Sequence, residues 1–127
     1  AEWMLKNLLD KASLKLFHDI YFSPLHVDNL SLVIEKIIKN PIFGLYHCAS
    51  SDSISKYDFG IQLAEEFGLK SSLILKGTIA SHSFLAKRSH KLDLHVRKLS
   101  GLGIAPPDYS LSIKQFSLNR EEKTGHY

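Results

Sequence analysis

The sequence is poor in the residues that mark secreted or membrane proteins. It has one cysteine, four prolines and one tryptophan. A single cysteine, Cys48, cannot form an internal disulfide, so a disulfide scaffold is excluded and a cytoplasmic, reducing location is predicted. No run of about 18 apolar residues is present, so no membrane span is predicted. No basic segment followed by an apolar stretch opens the chain, so no signal peptide is predicted.

The common motifs of catalytic and cofactor sites are also missing. Gly101-Leu102-Gly103 is the only close glycine pair, but no predicted strand precedes it and Pro106 stands where a third glycine would be needed. No tyrosine has a lysine four residues later, which excludes a Tyr-x-x-x-Lys proton-transfer pair. The seven histidines form no HExxH motif, and one cysteine cannot build a zinc framework. We therefore predict no catalytic residue, no metal site and no bound cofactor in this chain alone.

The formal net charge is +3, and much of the positive charge lies between Lys87 and Lys98. Three interpretations are open: a nucleic-acid site, a solvated helix face, or a phosphate site for a small ligand. The overall excess of positive charge is small and no aromatic residues alternate with the charges, so nucleic acid is not predicted as a partner.

Cys48 follows a predicted strand, and no group that would activate a thiolate is evident near it in sequence. This favours a buried structural thiol.

The apolar pattern alternates between helix and strand periods, which predicts an α/β fold with short, mainly parallel strands. The predicted helices cover 2–12, 30–39, 56–67, 92–99 and 108–118, and the predicted strands cover 14–18, 44–49 and 72–75. The helix over 30–39 shows one apolar stripe, made of Leu30, Val33, Ile34, Ile37 and Ile38.

Three helix starts carry recognisable caps. Asp28 or Asn29 can cap the helix over 30–39, and Ser55 with Asp58 fits a capping box for the helix over 56–67. Asp108 or Ser110 can start the last helix, which we expect to end at Leu118. The charged tail 119–127 is expected to fray.

The first residues have the pattern of a helix interior, and no capping signal precedes them. We therefore expect the chain to be a piece of a longer protein. The predicted organisation is one functional portion over 1–118 followed by the tail.

Three segments together resemble the extended short-chain dehydrogenase/reductases. Residues 19–30, DIYFSPLHVDNL, resemble the segment that links the central fold of that family to its substrate region. GLYHCAS over 44–50, followed by SKYDF over 55–59, resembles a strand-to-helix unit of the family. AKRSHKLDL over 86–94 resembles its "A-x-R-P-x-x-x-x-L-D" segment. The similarity extends over about residues 1–118 and is greatest to the dTDP-4-dehydrorhamnose reductase type, within the epimerase and dehydratase branch.

The resemblance implies a function for the chain and a further domain that this function requires. Such proteins use NAD(P)H to reduce a keto sugar linked to a nucleotide, on a Rossmann-like fold. Their cofactor loop and Tyr-x-x-x-Lys pair lie in the amino-terminal half, and the carboxy-terminal portion binds substrate and returns some elements to the central sheet. The implied partners are an amino-terminal cofactor-binding domain and a nucleotide sugar. A rival reading is a non-catalytic regulatory subunit of the same fold.

The resemblance also implies site residues. Arg88 matches the arginine that faces the nucleotide-sugar phosphates, a role that suits its forked donors. Ser23 and Pro24 match the linker beside the substrate and cofactor pocket. Without the resemblance, Arg88 reads as a surface arginine of a basic helix. Ser89 departs from the family pattern, which has proline there.

Overall fold

Two separate stretches of the chain build each of its two structural units. In the computed structural model, which describes residues 1–83, 86 and 88–124, unit 1 is made of Ala1–Phe22 and Ile54–Leu92, and unit 2 of Ser23–Ser53 and Asp93–Tyr127. The portion expected over 1–118 therefore consists of two units whose sequences interleave.

Helices alternate with short strands along the chain. The helices are α1 (Glu2–Leu9), α2 (Val27–Lys39), α3 (Lys56–Glu66), α4 (Arg97–Ser100) and α5 (Tyr109–Thr124), and the strands are β1 (Leu14–Phe17), β2 (Tyr21–Phe22), β3 (Ile54–Ser55), β4 (Ile74–Gly77) and β5 (Lys91–Leu92). β1 pairs with β4 and β2 with β5 in parallel, while β2 and β3 are antiparallel. The predicted α/β class with mainly parallel strands is confirmed. No helix in the described residues is long and apolar enough to cross a membrane.

The core of unit 1 lies between its parallel strand pair and two helices. Its buried residues come from α1, β1, α3 and β4: Leu8, Leu14, Leu16, Ala64 and Ile74. Gly60 lies on the buried face of α3, and a Cβ atom there would collide with Cδ1 of Leu16. The absence of a side chain at Gly60 thus lets α3 approach β1 closely.

The cap of α3 is the predicted one, and the cap of α2 is not. Ser55 Oγ accepts the Asp58 amide at 3.0 Å and donates to the Asp58 carboxylate at 2.6 Å. α2 begins earlier than predicted, and His26 caps it by accepting the Asp28 amide on Nδ1. The prediction of Asp28 or Asn29 as the cap was wrong because both lie inside the first turn. Histidine is not among the preferred caps, so no local pattern indicated this role for His26.

The predicted strand over 44–49 is absent. These residues follow an irregular path, Gly44 has a φ of +117°, and the side chain of Leu45 is 81% exposed. A strand needs a neighbour to pair with, and unit 2 holds no strand among its described residues. The apolar alternation over 44–49 could not show that a pairing strand is missing.

Other boundaries also differ from the prediction: the first helix ends at Leu9 rather than at residue 12, and the first strand ends at Phe17 rather than at residue 18. Ser71–Leu73 forms a 3-10 turn, and the strand predicted over 72–75 begins only at Ile74. The helix predicted over 92–99 was wrong in its first part, because Lys91–Leu92 pairs with Tyr21–Phe22 and α4 begins only at Arg97. The last helix starts after Asp108, which caps it, and continues to Thr124. Fraying of the tail stays a prediction.

The core of unit 2 covers only part of the apolar stripe of α2. Its buried residues are Val33, Leu99 and Ile104. In that stripe only Val33 is fully buried, whereas Ile34 and Ile38 are 47% and 71% exposed. The helix thus carries more apolar surface than its own unit covers.

Candidate functional site

The basic segment around Arg88 belongs to unit 1 and is fixed to strand β2. The amide of Tyr21 donates to the carbonyl of His90 at 2.9 Å, and Lys91 lies beside Tyr21 in the β2–β5 ladder. Arg88, His90 and Lys91 are exposed. Because the backbone at His90 is held by the sheet, the cationic side chains of this segment are displayed from a fixed position rather than from a free loop.

Asp19 ties the same segment to a second part of unit 1. Both oxygens of its carboxylate accept the Ile79 amide, at 3.1 and 3.0 Å. Nδ1 of His90 lies 3.1 Å from the carbonyl oxygen of Asp19 and 3.7 Å from its carboxylate. A carbonyl oxygen only accepts, so His90 must carry a proton on Nδ1 to make this bond. Asp19 thereby links the basic segment, β2 and the turn after β4.

Ser89 has a structural role that the sequence did not reveal. Its hydroxyl donates to the carbonyl of Lys91 at 3.0 Å and accepts the amide of Lys91 at 3.2 Å. Such local bonds from a serine hydroxyl stabilise a turn. Where the family pattern has a ring-constrained proline, this chain restricts the backbone after Arg88 with two hydrogen bonds.

Ser23 and Pro24 lie in unit 2, directly after β2. Both are half-buried, and the Ser23 hydroxyl accepts the amide of Leu94 at 3.3 Å. This bond joins the two stretches that make up the unit. Arg88 belongs to the other unit, so a shared site for the three residues stays a prediction.

Asn29 is the residue of this region whose importance the sequence analysis missed. It lies in the first turn of α2, its side chain is 7% exposed, and its Nδ2 atom has no hydrogen-bond partner among the residues that the structure describes. Buried polar groups in proteins are nearly always paired, so an unpaired amide calls for a reason. One sequence feature could have indicated this: Asn29 and Val33 are four residues apart, which puts the Asn29 amide on the same helix face as a buried apolar residue.

Replacement of Asn29 by leucine is expected to raise the free energy of unfolding of this chain by about 1 kcal/mol, because it removes an unpaired buried donor. Urea denaturation would measure the change. Asn119 is the matched control, because its Nδ2 donates to the Asp28 carboxylate at 2.6 Å. Asn119→Leu should destabilise the chain, and equal destabilisation by both changes would show that solvent satisfies Asn29.

Other candidate groups do not form a reactive centre in the described part of the chain. Burial raises the pKa of the Cys48 thiol, which favours the unreactive protonated form. No three His, Cys, Asp or Glu side chains among the described residues are placed to hold a metal ion. The glycine pair closes the end of α4, with the Gly101 and Gly103 amides bonded to the carbonyls of Arg97 and Ser100. It therefore does not form a strand-to-helix phosphate loop.

One concave surface of unit 1 is separate from Arg88. It has a volume of about 480 Å³ and lies where α1 and α3 end. Its lining consists of Leu8, Leu9, Lys11, Gly68, Leu69, Lys70 and Leu73. None of the residues expected to bind substrate contributes to it.

Comparison with known proteins gives a consistent result. The family model described as the RmlD substrate binding domain matches residues 1–121. The chain is 28% identical over 120 residues to the spore coat polysaccharide biosynthesis protein SpsK of Bacillus subtilis. This match covers 94% of the chain but 42% of the relative, so the chain spans well under half of that protein's length.

Solved structures share the fold. A dTDP-4-dehydrorhamnose reductase from Bacillus anthracis, in complex with NADP, superposes with a TM-score of 0.84 at 19% identity, over 93% of this chain and 42% of that one. A dTDP-4-dehydrorhamnose reductase from Clostridium acetobutylicum gives a TM-score of 0.81 at 23% identity, over 94% and 43%. A dTDP-glucose 4,6-dehydratase from B. anthracis gives 0.72 at 15% identity, over 98% and 40%.

The family model covers nearly the whole chain, and the structural matches show the same Rossmann-like architecture of helices and short, mainly parallel strands. The predicted family is confirmed: the chain belongs to the RmlD substrate-binding domain family.

Proposed function

We propose that this chain is the substrate-binding part of an NAD(P)-dependent reductase that acts on a nucleotide-linked 4-keto sugar. The observation that carries the proposal is the match of residues 1–121 to a substrate-binding domain family. The fold of a dTDP-4-dehydrorhamnose reductase supports the same substrate class. The chain spans 42% of that reductase, so the activity belongs to a longer protein.

The basic segment of unit 1 is suited to hold the diphosphate of such a substrate. Arg88, with its forked guanidinium, can donate two parallel hydrogen bonds to phosphate oxygens. Lys91 adds a second exposed cation, three residues further along. The bonds from Asp19, Tyr21 and Ser89 hold the backbone between these two side chains, which limits the entropy lost when the anion binds.

The described residues do not fit a nicotinamide cofactor. The glycine pair ends a helix, and the sequence has no Tyr-x-x-x-Lys pair. Hydride and proton transfer therefore belong to another part of the protein. In this proposal the chain contributes binding and orientation of the sugar, with Ser23, Pro24 and Arg88 in contact with substrate.

A titration of this chain with dTDP-glucose tests the proposal. Amide chemical shifts of residues 88–92 are expected to move, with a dissociation constant of about a millimolar because the chain offers only part of a pocket. Thymidine is the control, since it lacks the diphosphate and should leave these residues unchanged. No shift with dTDP-glucose up to ten millimolar would contradict the proposal and favour the regulatory-subunit reading.

A further inference from the structure

The concave surface of unit 1 where α1 and α3 end borders the core of that unit. Its volume of about 480 Å³ lies within the roughly 300–1,000 Å³ of small-molecule sites. Its apolar lining consists of four leucines, Leu8, Leu9, Leu69 and Leu73. Leu8 belongs to the buried cluster of the unit, Leu69 and Leu73 pack against that cluster, and the side chain of Leu9 is 58% exposed. The surface can therefore cover an apolar ligand.

Two residues with left-handed backbone shape this surface. Lys11 follows α1 with a φ of +56°, and Gly68 follows α3 with a φ of +61°. A residue in this conformation ends a helix and turns the chain away from it. In both turns the amide of the next residue donates to the carbonyl five residues before it, at 2.9 Å in α1 and at 2.8 Å in α3. Because these bonds fix both turns, the concave shape exists before a ligand binds.

The charged residues of the lining are both lysines. Lys11 and Lys70 are exposed, and no carboxylate contributes to the lining. Within the described part of the chain, neither ammonium group takes part in a hydrogen bond or an ion pair. Left-handed backbone costs free energy at a residue with a Cβ atom, and residues that bear this cost are concentrated at binding sites. Lys11 bears this cost and places a cation beside the leucines.

We infer that this surface binds an apolar chain that ends in an anionic group, either a carboxylate or a phosphate. The four leucines cover the apolar chain, and Lys11 and Lys70 pair with the anion at its end. A lysine near the end of a helix also offsets the partial negative charge of the last carbonyls, but that role needs no apolar surface beside it. The inference goes beyond the proposed function and does not rest on it, because no residue assigned to the nucleotide sugar lines this surface.

Titrations of this chain with octanoate and with octyl phosphate, followed by nuclear magnetic resonance, test the inference. The methyl signals of the four leucines should move, with a dissociation constant of roughly a millimolar, because an eight-carbon chain buries a modest apolar area. Octanol is the control for charge and should bind roughly fivefold more weakly, since ion pairs with exposed lysines contribute little each. The anionic probe with the higher affinity identifies carboxylate or phosphate as the preferred end group.

The double variant Lys11→Asn, Lys70→Gln should bind the anionic probes no more tightly than octanol. Asparagine tolerates left-handed backbone, so the turn after α1 is kept. The double variant Lys36→Gln, Lys114→Gln is the matched control, because it removes two exposed lysines from unit 2, and it should leave the affinity unchanged. Leu9→Ser should weaken the binding of octanoate and octanol alike without loss of folding, because the side chain of Leu9 is exposed.

Several results would overturn the inference. The leucine signals could stay unmoved with both anionic probes up to about ten millimolar, a concentration well above the expected dissociation constant. Octanol could bind as tightly as the anionic probes, or the two lysine double variants could lose affinity equally. Shifts of the leucine signals as the chain alone is concentrated would also overturn it, by showing that a second copy occupies the surface. The nucleotide-sugar proposal fails in a different measurement, since dTDP-glucose is expected to move the signals of residues 88–92.

Discussion

Substitution of Leu16 by alanine is expected to lower the free energy of unfolding of unit 1 by roughly 3 kcal/mol. Leu16 lies in β1, is 5% exposed, and belongs to the cluster with Leu8, Leu14 and Ile74. Removal of its branched end deletes buried methyl groups and leaves a cavity that the strand pair cannot easily close. Hydrogen exchange of the α3 amides under native conditions would measure the loss.

Gly60 provides a second change that checks the cause. In the natural chain, Gly60→Ala brings its new Cβ against Leu16 and should destabilise unit 1 by roughly 1 kcal/mol, as overpacking of cores does. In the Leu16→Ala background, the same change should stabilise by roughly 1 kcal/mol, because alanine favours the helix over glycine and fills part of the cavity. Additive effects of the two changes would show that their side chains do not share this space.

Substitution of Arg88 by alanine is expected to weaken dTDP-glucose binding roughly 10- to 100-fold, the range for loss of hydrogen bonds to a charged group. Arg88→Lys should give an intermediate loss, since it keeps the charge but not the forked donors. Calorimetric titration of a longer protein that contains the cofactor-binding portion would measure both. In a longer protein that contains the cofactor-binding portion, the affinity for NAD(P)H should not change.

Arg97→Ala is the control for Arg88→Ala. It removes the same charge from an exposed position in α4 of unit 2. General attraction between a positively charged chain and an anionic ligand would be reduced equally by the two changes. A loss of affinity in Arg88→Ala but not in Arg97→Ala would support a specific contact between Arg88 and phosphate. Equal losses in the two variants would show that Arg88 contributes only its charge.

Local signals predicted much of the fold. The apolar spacings of α2 and α3 and the Ser55 cap depend on neighbours in sequence, and these predictions were correct within a few residues. β2 and β5 are two-residue strands defined by pairing across the chain, from Tyr21 to Lys91, and no local pattern reveals such a partner. The strand predicted over 44–49 was wrong for a related reason: its apolar alternation fits a strand, but the described residues of unit 2 contain no strand for it to pair with.

The candidate site was predictable only through the family resemblance. Arg88 carries no local feature that separates a phosphate ligand from a surface arginine. The supports of its segment are distant in sequence: the ring of His90 reaches the backbone of Asp19, 71 residues away. Asn29 was missed because a helix cap and a buried unpaired amide look alike in sequence, and only the structure distinguishes them.

The interleaving of the two units determines how this protein can be cut. The chain passes between the units at 22–23, 53–54 and 92–93, so no single break separates one whole unit from the other. Removal of residues 1–22 takes material from unit 1 alone, and removal of residues 93–127 takes material from unit 2 alone, but the remaining chain then carries an incomplete unit beside a complete one. A break at 22–23 or at 53–54 would also separate paired strands. β1 must find β4 across some sixty residues, Leu14 opposite Ile74, which makes assembly dependent on distant contacts and therefore slow compared with a helical bundle. A transfer of this region to another protein that keeps both units whole must therefore move it as one continuous block.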